Sequence, residues 1–223
     1  MTDFTTARAR MIDSQIRTED VNDPAILAAM GEVPRERFVP AKGAALAYID
    51  RSVLLKEATS TSPARSMMRP AALGKLIQLA EIGESDKVLD VGTATGYSAA
   101  VLARIAASVV GLECDSDLAG AATALLQEWG AGKAEVIQGP LEAGYAAGAS
   151  YDVILLEGAV ELVPQALFDQ LGEGGRLVAV VGSGGSALGT LFKKTEGDIG
   201  RRPAFNSDAR PLPGFEQPKS FVF

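Results

Sequence analysis

The stretch Lys87-Val88-Leu89-Asp90-Val91-Gly92-Thr93-Ala94-Thr95-Gly96-Tyr97 constrains this chain more than any other. It opens as a continuous apolar run, the pattern of a strand buried on both faces of a parallel sheet. The run breaks at glycine and restarts as an amphipathic pattern with Tyr97, Val101 and Ile105 on one side. Strand, tight turn and helix in that order make the unit in which α/β folds hold nucleotide-like ligands. Glycine suits the turn because the backbone there must approach a ligand closely and can need positive φ.

The next strand, Ser108 to Glu113, ends in a carboxylate 21 residues after Gly92. An acid at that point can accept hydrogen bonds from both hydroxyls of a ribose, so turn and acid together point to an adenosine-containing cofactor. The phosphate fingerprint Gly-x-Gly-x-x-Gly is absent, because Gly92, Ala94 and Gly96 are spaced differently. Asp90 adds a charge beside the turn that would repel a pyrophosphate and suit a cation. S-adenosylmethionine, with its sulfonium and ammonium groups, fits that electrostatics better than NAD.

Around this unit the chain alternates. Strands are expected at Ala134 to Gln138, Tyr151 to Leu156 and Arg176 to Val181, with a helix capped near Asp115 or Asp117 and another near Gln165 to Leu171. Trp129 falls on the apolar stripe of the first of these helices and reads as core. Alternating strand and helix implies a doubly wound, mostly parallel sheet with right-handed crossovers. After a flexible Gly182–Ser186 turn, Leu188 to Lys194 and Ser220 to Phe223 read as two late strands forming an antiparallel edge. Upstream, residues 4 to 17, a helix opened by Asp23-Pro24, a proline-bracketed connector from Val33 to Pro40 and a helix opened by Pro70 make a helical extension. Residues 56–69 between them read as irregular and rich in hydroxyls. The expected organisation is an extension with a substrate loop over 1–80 and one compact α/β domain over 81–223.

Composition narrows the chemistry. The 223 residues are 47% hydrophobic and carry a net charge of −7, which disfavours broad binding to nucleic acid or anionic membrane. A single cysteine precludes an internal disulfide and fits a reducing compartment. The absence of histidine removes imidazole bases, His-based triads and ordinary zinc sites. No apolar run reaches the roughly 18 residues of a membrane span, and the first residues lack a signal-peptide core, so a cytoplasmic protein is expected.

Several stretches resemble the protein-L-isoaspartate O-methyltransferase family over nearly the whole length. These are Ala28-Ala29-Met30 leading into Val33–Pro40, Ala47-Tyr48-Ile49-Asp50, the turn Val88–Tyr97, Val163–Leu167, and Gln170-Leu171 through Gly174–Val178. The resemblance implies a Rossmann-like methyltransferase fold and transfer of a methyl group from S-adenosylmethionine to the stray carboxylate of isoaspartyl residues, the first step in repair of aged proteins. It also implies that Gly92, Thr93, Gly96 and Glu113 contact the cofactor. A carboxylate acceptor is already an ionised nucleophile near neutral pH, so the missing histidine is no obstacle. The alternatives are a methyltransferase for another carboxylate and a cofactor-binding relative without catalysis.

This chain departs from the family pattern at three places. Ala94 stands where the family has the middle glycine of the turn. Gly139-Pro140-Leu141 lacks the family's carboxylate on the adenine side, though Leu141 keeps its place among the expected cofactor contacts. The family's substrate loop carries a serine two residues before a proline. Aligned on Pro70, Met68 takes its place and Ser66 is the nearest hydroxyl; aligned on Pro63, Thr61 takes it. Thr61 and Ser66 are therefore the candidate catalytic hydroxyls, and activity on isoaspartyl peptides is expected to be low. Glu157, at the end of its strand, either meets the cofactor's amino group or a cationic acceptor, or is a solvated rim charge. Arg65 and Arg69 either recognise an acceptor carboxylate or are solvated. Cys114 reads as a small buried filler, and Lys193-Lys194 and Arg201-Arg202 as surface charge.

Overall fold

Asp23 caps its helix as its sequence suggests, with the carboxylate accepting from the N–H groups of Ala25 (2.8 Å) and Ile26 (3.2 Å). The computed structural model that shows this describes residues 3–60 and 63–217. In chain order its elements are α1 (Phe4–Met11), α2 (Pro24–Glu32), β1 (Val53–Lys56), β2 (Arg65–Met67), α3 (Pro70–Ala80), β3 (Lys87–Val91), α4 (Tyr97–Leu102), β4 (Ser108–Glu113), α5 (Ser116–Trp129), β5 (Ala134–Gln138), β6 (Tyr151–Val160), α6 (Gln165–Asp169), β7 (Leu171–Val181), β8 (Leu188–Thr195) and β9 (Asp198–Asn206).

Seven strands form one sheet in the order β5-β4-β3-β6-β7-β8-β9. The first five run parallel, while β8 and β9 join antiparallel. Both faces of the central strands are buried. Val88 of β3 packs with α3 and α4 residues, whereas Leu89 and Val91 pack in a second cluster with Ile154, Leu156 and Leu167. This two-sided burial is why these strands read as apolar runs without alternation, with Asp90 the one acid inside β3. The strand order reverses at β3, so its carboxyl end, flanked by β4 and β6, is where a doubly wound sheet opens a crevice.

Three expectations change. The antiparallel edge is present, but the strand beside β8 is Asp198–Asn206; the stretch Ser220–Phe223 lies outside the described residues. Arg201-Arg202 belongs to that edge strand, where one face is solvated and charge is tolerated. The helix from Phe4 is α-helical only to Met11, widens over Ile12–Ile16 and tightens over Arg17–Glu19. Finally, 56–69 is not wholly irregular: β2 pairs antiparallel with β1, bringing Leu54 opposite Ser66 and Lys56 opposite Arg65. Among the described residues no helix is long and apolar enough to cross a membrane.

Candidate active site

The turn after β3 is tied to the neighbouring strand. The N–H groups of Gly92 and Thr93 both donate to the Leu112 carbonyl, at 2.8 and 3.2 Å. Gly92 and Gly96 have φ of 83° and 89°, and Ala94, between them, has φ of 52°. At Gly92 space as well as φ demands glycine, since a Cβ would stand 2.7 Å from Leu212 Cδ2. Ala94 holds its left-handed conformation at a cost of about 1–2 kcal/mol. Its N–H donates to Glu113 Oε2 at 2.8 Å, which keeps the turn shape without glycine.

Two acids at this crevice lack a full set of partners. Asp90 is fully buried; its Oδ2 accepts from Ser98 Oγ at 2.6 Å, while Oδ1 has no partner among the described residues. Burial, helped by the charge of Glu113, pushes its carboxyl up to about 6. Glu157 follows Leu156, which pairs with Val91, and its Oε1 is likewise buried without a partner. Loss of hydration, then repulsion by Asp90, drives this carboxyl well above the usual carboxylate range, against the pull of Arg35 and Arg65. A rim charge in free solvent would not behave so. Two under-partnered carboxylates in one crevice make a receptacle for a cation.

Glu113 is in the opposite situation. Its Oε1 accepts from Arg65 Nη1 and from the Asp115 N–H (3.0 Å); its Oε2 accepts from Arg65 Nη2 (2.9 Å) and from Ala94. Arg65 Nη2 also donates to the Gly92 carbonyl at 3.3 Å. The guanidinium is 3% exposed and the carboxylate fully buried. Neither reading of Arg65 from sequence described this: it is not solvated and does not wait for an acceptor, because it is closed on the acid expected to take the ribose. Next to it on the hairpin, Lys56 Nζ donates to Asp115 (2.6 Å) and Asp117 (2.9 Å) at the start of α5. Arg69 is also paired, with Asp50 (2.6 Å) and Asp208 (3.2 Å).

A second segment reaches the same crevice. The Ala159 N–H donates to the Arg210 carbonyl (2.8 Å) and the Leu212 N–H to the Ala159 carbonyl (2.9 Å), laying residues 210–212 along β6. Leu212, 3% exposed, then sits against Gly92 and Gly158. Arg65 and Leu212 between them fill the space in front of Gly92.

The fold thus gathers Asp90, Gly92, Thr93, Ala94, Gly96 and Glu113 at the carboxyl ends of β3 and β4 with Glu157 of β6, which does not close its strand as expected, because β6 continues past it to Val160. Leu141 is buried in the apolar layer with Leu89, Leu112 and Phe215. Ser66 is half-buried, alternates with Arg65 along β2, and lines a cavity of about 370 Å³ with Ser52, Leu54 and Arg210. Met68 is buried in the core and takes no polar part through its side chain. Thr61 lies outside the described residues. Cys114 is half-buried, its thiol 3.5 Å from Arg65 Nη1, and burial pushes the thiol up.

Sequence reasoning overlooked Arg35. Fully buried, it donates from Nε to the Ala47 carbonyl (2.8 Å) and from Nη2 to the Met68 carbonyl (2.5 Å). Its guanidinium lies 4.8 Å from the centre of the Tyr97 ring, and Phe38 meets the same ring edge-on. Thr95 Oγ1 adds a bond to the Phe38 carbonyl at 2.6 Å. The Val33–Pro40 connector therefore braces both the glycine turn and the loop before α3. Its bracketing prolines marked a fixed conformation, but nothing local marked Arg35 as buried.

Sheet order, a glycine turn at the switch point and an acid closing the next strand define the Rossmann-like methyltransferase class. Comparison with known proteins narrows this. The family model described as "Protein-L-isoaspartate(D-aspartate) O-methyltransferase (PCMT)" matches residues 6–205, and the chain belongs to that family. A protein-L-isoaspartate O-methyltransferase of Koribacter versatilis is 41% identical over 183 residues, 82% of this chain and 80% of that protein. One of Methanoculleus marisnigri is 40% identical over 175 residues, 78% of this chain and 77% of that protein. A solved protein-L-isoaspartate O-methyltransferase superimposes with a TM-score of 0.79 at 24% identity, across 93% of this chain and 66% of that one, which is likeness of fold.

Proposed function

We propose that the chain is an S-adenosylmethionine-dependent carboxyl O-methyltransferase acting on a protein or peptide carboxylate, with the isoaspartyl residue as first candidate. One observation carries the reading: unpartnered buried oxygens of Asp90 and Glu157 stand beside a glycine turn and a strand-ending acid. Such oxygens fit a cationic cofactor and would repel a pyrophosphate. When bound, S-adenosylmethionine supplies a sulfonium methyl group open to in-line displacement. Asp90 and Glu157 would face its positive charge, the Gly92–Gly96 turn would let it approach the backbone, and Glu113 would hold its ribose.

The rest falls to the chain's own groups. An ionised carboxylate acceptor needs no base, which suits a sequence without histidine, so the residues have to orient and to exclude water. Ser66 and Arg210, which share a cavity wall, are the groups offered to the acceptor. The same reading keeps residues 1–80 as the extension carrying the substrate loop, and a cytoplasmic setting. Calorimetry tests the cofactor: S-adenosylhomocysteine should bind and NAD should bind much more weakly, and the reverse order would overturn the reading. Radiolabel transfer to an isoaspartyl peptide, set against transfer to other carboxylate peptides, tests the acceptor.

A further inference from the structure

We propose that Arg65 is a built-in competitor for the cofactor, and that the β1–β2 hairpin must lift before the ribose can reach Glu113. The inference rests on the cofactor reading above and specifies how that site is regulated.

Three observations support it. First, Glu113 is the only acid ending the strand next to the turn, and both its oxygens are engaged by the Arg65 guanidinium. A ribose diol and this guanidinium claim the same two oxygens from the same side, since the other positions are held by the backbone N–H groups of Ala94 and Asp115. Second, Arg65 does more than neutralise Glu113. Its Nη2 reaches across to the Gly92 carbonyl, placing the cation in front of the turn itself. Third, the hairpin that carries Arg65 has its own hold on the sheet. Lys56, paired with Arg65 across the two strands, bonds Asp115 and Asp117 just beyond Glu113. One hairpin thus sets two cations on three acids at the β4–α5 junction.

Such a contact acts through populations. When the competent, lifted state is a minor one of about 1–10%, apparent cofactor affinity is lower than intrinsic affinity by roughly ten- to a hundredfold. Ser66 neighbours Arg65 on β2, so lifting repositions it too, and cofactor entry sets where Ser66 stands towards the acceptor.

The test is the affinity of S-adenosylhomocysteine, measured by calorimetry, for the unmodified protein, Lys56→Ala and Arg65→Ala. Lys56→Ala removes only the second hold and leaves Glu113 paired, so it stays informative should Arg65→Ala fail to fold. Both variants should bind more tightly, Lys56→Ala by several-fold and Arg65→Ala by about ten- to a hundredfold. Hydrogen exchange supplies a second readout: saturation with S-adenosylhomocysteine should deprotect the amides of Val53–Lys56 and Arg65–Met67 in the unmodified protein. Binding by the unmodified protein with no gain in either variant, or with the hairpin still protected in the complex, overturns the competition and leaves the cofactor reading standing. Absence of binding in all three proteins, each folded by circular dichroism, overturns both.

Discussion

Asp90 and Arg35 illustrate how single buried polar groups set the behaviour of this site. The carboxyl of Asp90 lies at about 6 in the folded chain against 3.8 as the reference, chiefly because burial penalises its charge. The folded state therefore binds a proton that the unfolded state has released between about pH 4 and 6. The sign follows: stability falls as pH rises through that window, by an amount on the order of 3 kcal/mol from this group. Glu157, Glu113, Arg65 and Arg35 surround the effect, and Glu157 adds to it in the same direction. Asp90→Asn should remove the loss, and urea titrations at pH 4.5 and 7.5 should show the variant gaining on the parent at the higher pH. Arg35 poses the opposite case. Arg35→Met leaves the Ala47 and Met68 carbonyls without their buried donor, at about 1–3 kcal/mol each. Thermal unfolding should move down by several degrees, at roughly 2–4 °C per kcal/mol for a chain of this size.

At the scale of elements, two short pieces govern the crevice although neither belongs to the parallel sheet. The hairpin arrives from one side and residues 210–212 from the other. The second depends on Gly158, where a Cβ would meet the Arg210 carbonyl and Leu212 Cγ, each at 2.7 Å. Gly158→Ala should push this segment off β6 at a cost of about 1–3 kcal/mol, as overpacking of a tight contact does. Hydrogen exchange reads it directly, through faster exchange of the Ala159 and Leu212 amides, which now bond the opposing segment. The second strand of the hairpin and its pairing escaped sequence reading because the strands have four and three residues and join across a polar stretch. At that length pairing is decided by what the hairpin packs on and leaves almost no period in the residues.

For the whole molecule the outcome expected is a family member slow on the family's substrate. Where the family's loop offers a serine in the register set by Pro70, this chain buries Met68 in the core and ties its carbonyl to Arg35. A thioether donates no hydrogen bond, and misplacing an acceptor by about 1 Å can cost on the order of a hundredfold. Turnover of an isoaspartyl peptide should therefore fall about a hundredfold or more below that of the Koribacter versatilis relative under the same conditions. Equal turnover would show that another hydroxyl serves, and Ser66→Ala would then be the variant to measure.

The residues between Lys87 and Glu113 by themselves determined the first parallel strand pair, the glycine turn and the strand-ending acid, and the alternation that continues to Val181 determined the rest of the parallel sheet. Those features are local: an apolar run, a positive φ and a carboxylate at the end of a strand are each written in a few consecutive residues. Tertiary structure alone decided which charges meet. Arg65 and Glu113 are 48 residues apart and close on each other only because the hairpin folds back over β4. Arg35 is buried only because the connector, Ala47, Met68 and Tyr97 converge on it. A lone arginine looks the same in sequence whether it will be solvated or sealed in a core. Its fate depends on partners brought from distant positions, since a buried charge persists only where such partners satisfy it.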